Sequence, residues 1–110
     1  MLEDSKRIQI EAELANGEAA RKNGNEGMAR VCARRAAGIL IREYLAEKHV
    51  LIPTNTAYSM IRFLRDTPGI SPDIQQVLDH LTTRVDDEHN LPDNVDLIQE
   101  TRWLVQVLEQ

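Results

Sequence analysis

The chain has 110 residues, the size of one domain, and we expect residues 1–110 to form a single folded unit. Hydrophobic residues make up 42% and charged residues 28%, which excludes wholesale disorder, and the formal charge of −5 argues against non-specific binding to a nucleic-acid backbone. The longest apolar run, 36–41, is far shorter than the roughly 20 residues of a membrane span. With one cysteine and no apolar leader segment, the sequence predicts a cytoplasmic protein without disulfides.

The charge is distributed unevenly along the chain. Residues 1–65 contain 11 Lys and Arg against 8 Asp and Glu, whereas residues 66–110 contain 2 against 10. The two parts have opposite net charge and should therefore attract each other in the folded state. Any basic surface that remains after folding must come from the first part.

Apolar periodicity and helix-ending residues predict five helices, and no stretch alternates with the period of two that a strand requires. The first helix runs from about Asp4 to Asn23, interrupted by Asn16-Gly17, since glycine costs on the order of 1 kcal/mol inside a helix. Its predicted inward stripe consists of Ile8, Ala12, Ala15 and Ala19.

The second helix, from about Glu26 to Lys48, should be the central one. Its apolar side chains fall nearly all the way round the axis, so it must touch several neighbours. Cys32 lies too far inside this helix for its N-terminus to activate the thiol, and we expect a buried, unreactive side chain. The predicted core residues of this helix are Cys32, Ala36, Ile39 and Leu40.

Three shorter helices follow an extended connection at 49–53. Thr54 or Asn55 should cap the third, which ends near Arg65; Ser71-Pro72 starts the fourth; Asp93 or Asn94 caps the fifth. The predicted inward positions are Ala57, Ile61 and Leu64 in the third helix, Ile74, Val77, Leu78, Leu81 and Val85 in the fourth, and Leu97, Thr101, Leu104 and Leu108 in the fifth. The sequence thus predicts an all-α fold, a five-helix, largely antiparallel (up-and-down) bundle.

Trp103 falls on a flank of the fifth helix rather than in its inward stripe. Tryptophan is favoured at the centres of interfaces, because it covers a large area at a small cost in entropy. We therefore expect a homodimer in which Trp103 meets or borders the partner subunit. The alternative is that Trp103 packs against the first helix of its own chain.

No metal or cofactor is predicted. The three histidines, at 49, 80 and 89, lack the spacing of a metal site, and there is no second cysteine. The acidic stretch 86–89 with Asp93 lacks both the glycine and the closing glutamate of a calcium-binding loop.

Four arginines of the second helix share an arc of roughly 140° with apolar residues. A mixed surface of this kind is typical of a binding face for phosphate or for a partner protein. Alternatively, these arginines pair with acids of the second part of the chain, such as Asp79 or Glu100. The four are Arg30, Arg34, Arg35 and Arg42.

The stretch 84–89 has an Arg, four residues and a His late in a helical bundle, and it resembles the catalytic signature of the HEPN family. The stretch Gly24–Gly38, which opens a long central helix, is similar in style to small bacterial members. The resemblance covers roughly residues 18–90. Two features depart from the family pattern: Val85 replaces a usually polar residue, and three acids that would repel RNA separate the pair.

HEPN domains are helical bundles, often dimeric, that act as RNA-cleaving toxins, as partners of nucleotidyltransferases or as inactive binding modules. The resemblance implies that Arg84 would contact phosphate and His89 would be the general acid/base of a metal-independent endoribonuclease. It also implies a possible partner protein, such as a nucleotidyltransferase or an antitoxin, and RNA or a nucleotide as ligand. We favour a non-catalytic module that binds a partner protein or a nucleotide. The ribonuclease and a purely structural bundle are the alternatives.

Overall fold

A computed structural model of the chain describes residues 2–50, 56–83 and 95–109. Within these ranges the backbone forms five α-helices and no strand, which confirms the predicted all-α bundle. The helices are α1 (Asp4–Lys22), α2 (Glu26–Glu47), α3 (Ala57–Arg65), α4 (Pro72–Thr82) and α5 (Leu97–Leu108). None of these helices is long and apolar enough to cross a membrane.

Side-chain caps begin four of the helices. Asn25 accepts a hydrogen bond from the Met28 N–H, and Ser71 caps α4 just before Pro72, as predicted. The caps of α3 and α5 are Thr56 and Asp96, so the predicted caps of these two helices were wrong. Several residues in a row could cap either helix, and the pattern alone does not choose among them. The predicted caps Thr54, Asn55, Asp93 and Asn94 lie outside the described residues.

α2 is the most buried helix and forms the centre of the core, as predicted. It packs against α1, α3 and α5, and α4 packs against α3 and α5. Ile39 is the exception among its predicted core residues: it is only half-buried, because its side of α2 faces a groove between α1 and α3. The buried residues of α2 are Ala29, Cys32, Ala33, Ala36, Ala37, Gly38, Leu40, Ile41 and Leu45.

The inward positions predicted for the last three helices are confirmed within the described residues. Ile61, Leu64, Val77, Leu78, Leu81, Leu97, Thr101, Leu104 and Leu108 are buried, Ala57 and Ile74 are half-buried, and Val85 lies outside the described residues.

The buried face of α1 is not the predicted one. Ile8, Ala12, Ala15 and Ala19 are exposed, with Ile8 67% accessible. Ile10, Leu14 and Gly17 face the core instead, at positions i, i+4 and i+7 of the helix. Gly17 lies on this buried face, and its missing side chain lets α1 approach α2 and α5 closely.

Two helical glycines allow close approach between helices. A Cβ at Gly17 would lie 3.1 Å from Ile98 Cδ1 and 3.2 Å from Cys32 Cβ, so α1 meets both α2 and α5 there. A Cβ at Gly38 would lie 2.8 Å from the Cβ and 3.0 Å from the Cα of Ala57, so α2 and α3 touch almost backbone to backbone. The glycine that was expected to interrupt α1 is therefore a packing position within an unbroken helix.

α2 ends at a residue in the left-handed region rather than in an extended connection. His49 has φ of 62°, its N–H donates to the Ala46 carbonyl, and the Val50 N–H donates to the Leu45 carbonyl. These bonds satisfy carbonyls that the last turn of a helix leaves unpaired. The prediction of an extended segment is wrong at His49, and residues 51–53 lie outside the described ranges.

Candidate functional site: a cationic groove between α1 and α3

The helices around α2 leave one sector open. α5 contacts α1, α4 contacts α5, and α3 contacts α4, but α1 and α3 make no comparable contact within the described residues. The gap between them is a groove with a volume of about 700 Å³ that runs along α2. We call it the arginine groove; Val31, Gly38, Ile39 and Met60 supply apolar surface, and Lys6, Arg34, Arg35 and Arg42 supply the positive charges.

Four cationic side chains line the groove against two acidic ones, Glu13 and Glu43. Lys6 Nζ lies 3.8 Å from Glu43 Oε1, a loose ion pair. Arg35 is exposed and makes no ion pair with any residue of the described ranges. The groove is therefore a positively charged region of a chain with a net charge of −5.

Arg34 is held by two hydrogen bonds to backbone carbonyls. Its Nε donates to the Leu81 carbonyl at 2.8 Å, and its Nη2 donates to the Thr83 carbonyl at 3.4 Å. The side chain therefore reaches from α2 to the C-terminal end of α4, where unpaired carbonyls favour a positive charge. Burial, reinforced by repulsion from Arg30, lowers the pKa of Arg34 below the usual arginine value. No carboxylate of the described residues lies within ion-pair distance to offset these effects.

Tyr58 provides an aromatic wall on the α3 side of the groove. The Arg62 guanidinium lies 5.6 Å from the centre of its ring, which is within the range of a cation–π contact. Next to Tyr58, Ala57 touches Gly38 of α2. The contact between α2 and α3 thus holds the α3 side of the groove close to α2, near the middle of its length.

The acids expected to neutralise the α2 arginines have other partners. Asp79 Oδ1 lies 3.7 Å from Arg65 Nε, and Glu100 Oε1 lies 2.7 Å from His80 Nδ1. Within the described residues, Arg34 and Arg35 form no ion pair with these acids, and the acids at 86–88 and 93 lie outside those residues. Arg30 is half-buried and does not line the groove, so the fold brings together three of the four predicted arginines.

On the opposite side of α1, arginines of α1 and α5 form ion pairs with carboxylates. Arg102 of α5 binds Glu11 at 3.0 Å and Glu18 at 2.8 Å, and the hydrogen bonds to these two acids raise the pKa of Arg102. Arg21 binds both Glu26 and Asp96, and the bond to Glu26 is the main reason that its pKa is raised. On this side the cations have acid partners, in contrast to Arg34 and Arg35.

A second cavity, of about 580 Å³, lies between the C-terminal end of α2 and the turn that joins α3 to α4. It is lined mainly by apolar residues, including Phe63, which is 42% exposed. Its charged lining consists of Lys48, held over the Tyr44 ring, and Asp66. This cavity has no excess of either charge, so it offers less basis for recognising a ligand than the arginine groove.

The predicted catalytic pair, Arg84 and His89, lies outside the described residues. The buried position of Cys32 is confirmed. Among the described residues, no group of three or more His, Cys, Asp or Glu side chains is arranged to hold a metal ion.

No protein-family model matches the chain, and comparisons with curated proteins and with solved structures find no significant match. Sequence reasoning missed Lys6, Glu13 and Tyr58, which join the site from α1 and α3. The α2 arginines share one face of one helix, whereas these three residues are brought there by packing between helices.

Proposed function

We propose that this protein is a binding module, not an enzyme, and that its ligand is anionic and occupies the arginine groove. The observation that carries the proposal is the lining of the groove: four cations and two acids around apolar surface, in a chain whose net charge is −5. A partner protein with an acidic surface and a nucleotide are the two ligand classes that such a lining favours. The resemblance to HEPN proteins supports the same proposal, since that family includes inactive binding modules.

Electrostatics favours an anion at this site. Arg34 is partly desolvated, is repelled by Arg30 and has no carboxylate partner among the described residues. A bound anion would reduce that repulsion, and its attraction to the arginines would be stronger in the groove than in open water. An apolar portion of the ligand would cover Val31 and Ile39, which are incompletely buried.

The proposal is tested by recording ¹H–¹⁵N spectra of the protein during titration with two anionic probes, ATP and poly-L-glutamate. We expect at least one probe to shift signals that cluster at Val31, Arg35, Gly38, Arg42 and Tyr58. The double variant Arg35→Gln/Arg42→Gln should weaken that binding at least tenfold, since both removed charges line the groove. Absence of shifts with both probes, or shifts spread evenly over the five helices, would contradict the proposal.

The endoribonuclease alternative has a separate test. We expect no cleavage of single-stranded RNA by the wild-type protein in the presence of EDTA. Cleavage that is abolished by both Arg84→Ala and His89→Ala would establish the alternative and refute the non-catalytic proposal. Comparison with both variants is needed because a contaminating nuclease would be equally active in all three samples.

A further inference from the structure

The arginine groove has the position and length that a further helix beside α2 would take. Among the described helices, α1, α3 and α5 pack against α2, and none of them covers the sector between α1 and α3 that the groove occupies. Its lining on α2 extends from Val31 to Glu43, which corresponds to about 18 Å of helix at 1.5 Å per residue. That length matches about three turns of a partner helix.

Charge and apolar surface alternate along the groove in a way that favours an elongated ligand. Arg34 and Arg35 lie near one end, and Arg42 lies about two turns away, roughly 10 Å along the axis. Between them, Ile39 supplies half-buried apolar surface, and at Gly38 the floor meets Ala57 of α3. The phosphates of a nucleotide adjoin one another and concentrate its charge at one end, whereas a helix with acids spaced two turns apart places charge at both ends.

We infer that the occupant of the arginine groove is an amphipathic helix of a partner protein, about three turns long, whose apolar face is bordered by acidic residues. This inference rests on the proposed function and deepens it, because it selects a protein helix over a nucleotide. The apolar face covers Val31, Ile39 and Met60, with anchoring side chains spaced i, i+3, i+4 and i+7. The acidic residues face Lys6, Arg35 and Arg42, which are among the cations that line the groove.

The inference is tested by selection from a display library of random 16-residue peptides, with the full-length wild-type protein as the target. We expect the enriched peptides to combine the apolar spacing i, i+3, i+4 and i+7 with Asp or Glu on the flanks. The best peptide is then synthesised, and its dissociation constant is measured by fluorescence anisotropy at two salt concentrations. Binding should weaken at higher salt, because the flanking ion pairs are exposed to solvent.

Two charge-matched double variants localise the peptide. Arg35→Gln/Arg42→Gln removes two charges from the groove and should weaken binding at least tenfold. Lys22→Gln/Lys48→Gln makes the same change in net charge outside the groove and should change the dissociation constant less than twofold. Both variants replace side chains at exposed positions, and circular dichroism verifies that each is folded.

The remaining outcomes overturn the inference in distinguishable ways. Enriched peptides without the helical pattern, or a peptide equally weakened by both double variants, would rule out an acidic helix in the groove. If the selection fails while ATP or poly-L-glutamate still shifts the groove signals, the inference of a partner helix is wrong and the proposed function stands. If those shifts are also absent, the inference and the proposed function are both wrong. Self-association of the wild type that Arg35→Gln/Arg42→Gln abolishes would mean that a second copy of this chain fills the groove.

Discussion

Two sides of the bundle differ in whether their arginines form ion pairs. On the α5 side, defined by the ion pairs of Arg7, Arg21 and Arg102, each arginine has at least one carboxylate partner. In the arginine groove, Arg34 donates to carbonyls, and Arg35 makes no ion pair within the described residues. The acid partners raise the pKa of Arg102, whereas burial and Arg30 lower the pKa of Arg34.

This difference shows that net charges of chain segments do not determine which side chains meet. The acidic second part of the chain is attracted to α1 through Asp96 and Glu109, as its charge predicts. Yet Arg102, one of the two basic residues of that part, binds Glu11 and Glu18 of the basic part. The pairs form where α5 lies against α1, whereas Arg34 and Arg35 have no carboxylate partner within the described residues, on a side that no described helix covers.

The largest expected effect is on stability, and it distinguishes a core residue from the groove residue next to it in the chain. Leu40 is fully buried, so Leu40→Ala should lower the free energy of unfolding by about 2–5 kcal/mol. Ile39 is half-buried and lines the groove, so Ile39→Ala should cost about 1 kcal/mol, since its side chain is only partly removed from water. Urea unfolding of both variants measures the difference, and equal losses would mean that the groove is part of the core.

The next prediction concerns the outer surface of α5, opposite its packed face. Trp103 is 37% exposed, beside the fully buried Leu104, and its flanking position agrees with the sequence prediction. If the expected homodimer forms through this surface, Trp103→Ala should weaken dimerisation by about 2 kcal/mol, roughly thirtyfold. Sedimentation equilibrium measures this, with Phe63→Ala as the control, because Phe63 is an equally exposed aromatic residue on α3. A wild-type monomer at micromolar concentration would refute the dimer.

Most of the fold follows from the sequence, because it depends on periodicity and capping residues within single helices. The inward positions of α4 and α5 are examples: Leu78, Leu81 and Leu104 are fully buried, as their spacing predicts. α1 shows where such prediction fails, since it has two apolar stripes and Ile8 lies on the one that is exposed. Only packing between helices decides that choice.

The candidate site could be predicted only in part, for the same reason. Arg34, Arg35 and Arg42 share one face of a single helix, and their spacing is visible in the sequence. Lys6 and Tyr58 reach the groove from other helices, and no local pattern connects them with α2. Likewise, nothing in the spacing indicates that Arg34 donates to the carbonyls at the end of α4.

A third prediction compares two glycines of α2. Gly38→Ala would place a Cβ 2.8 Å from Ala57, so α3 must move away and the groove should widen, with a net loss of about 1–2 kcal/mol. Gly27→Ala meets nothing closer than 3.8 Å, so the higher helix propensity of alanine should stabilise the protein by a few tenths of a kcal/mol. Thermal unfolding should therefore shift in opposite directions for the two variants. A stabilised Gly38→Ala variant would show that α2 and α3 are not in tight contact.

The smallest expected effect on stability tests the difference in ion pairing between the α5 side and the arginine groove. Arg102→Gln removes two partly exposed ion pairs, each worth roughly 0.2–1 kcal/mol, so the variant should be less stable by about 1 kcal/mol or less. Arg35→Gln removes a cation without an ion pair in the described ranges and should leave the stability unchanged or slightly higher. Raising the salt concentration screens exposed charges, so the gap between the two variants in urea midpoint should narrow. If Arg35→Gln instead lowered the stability more than Arg102→Gln, Arg35 would be contributing to the fold. The prediction that Arg35 is available to a ligand would then be wrong.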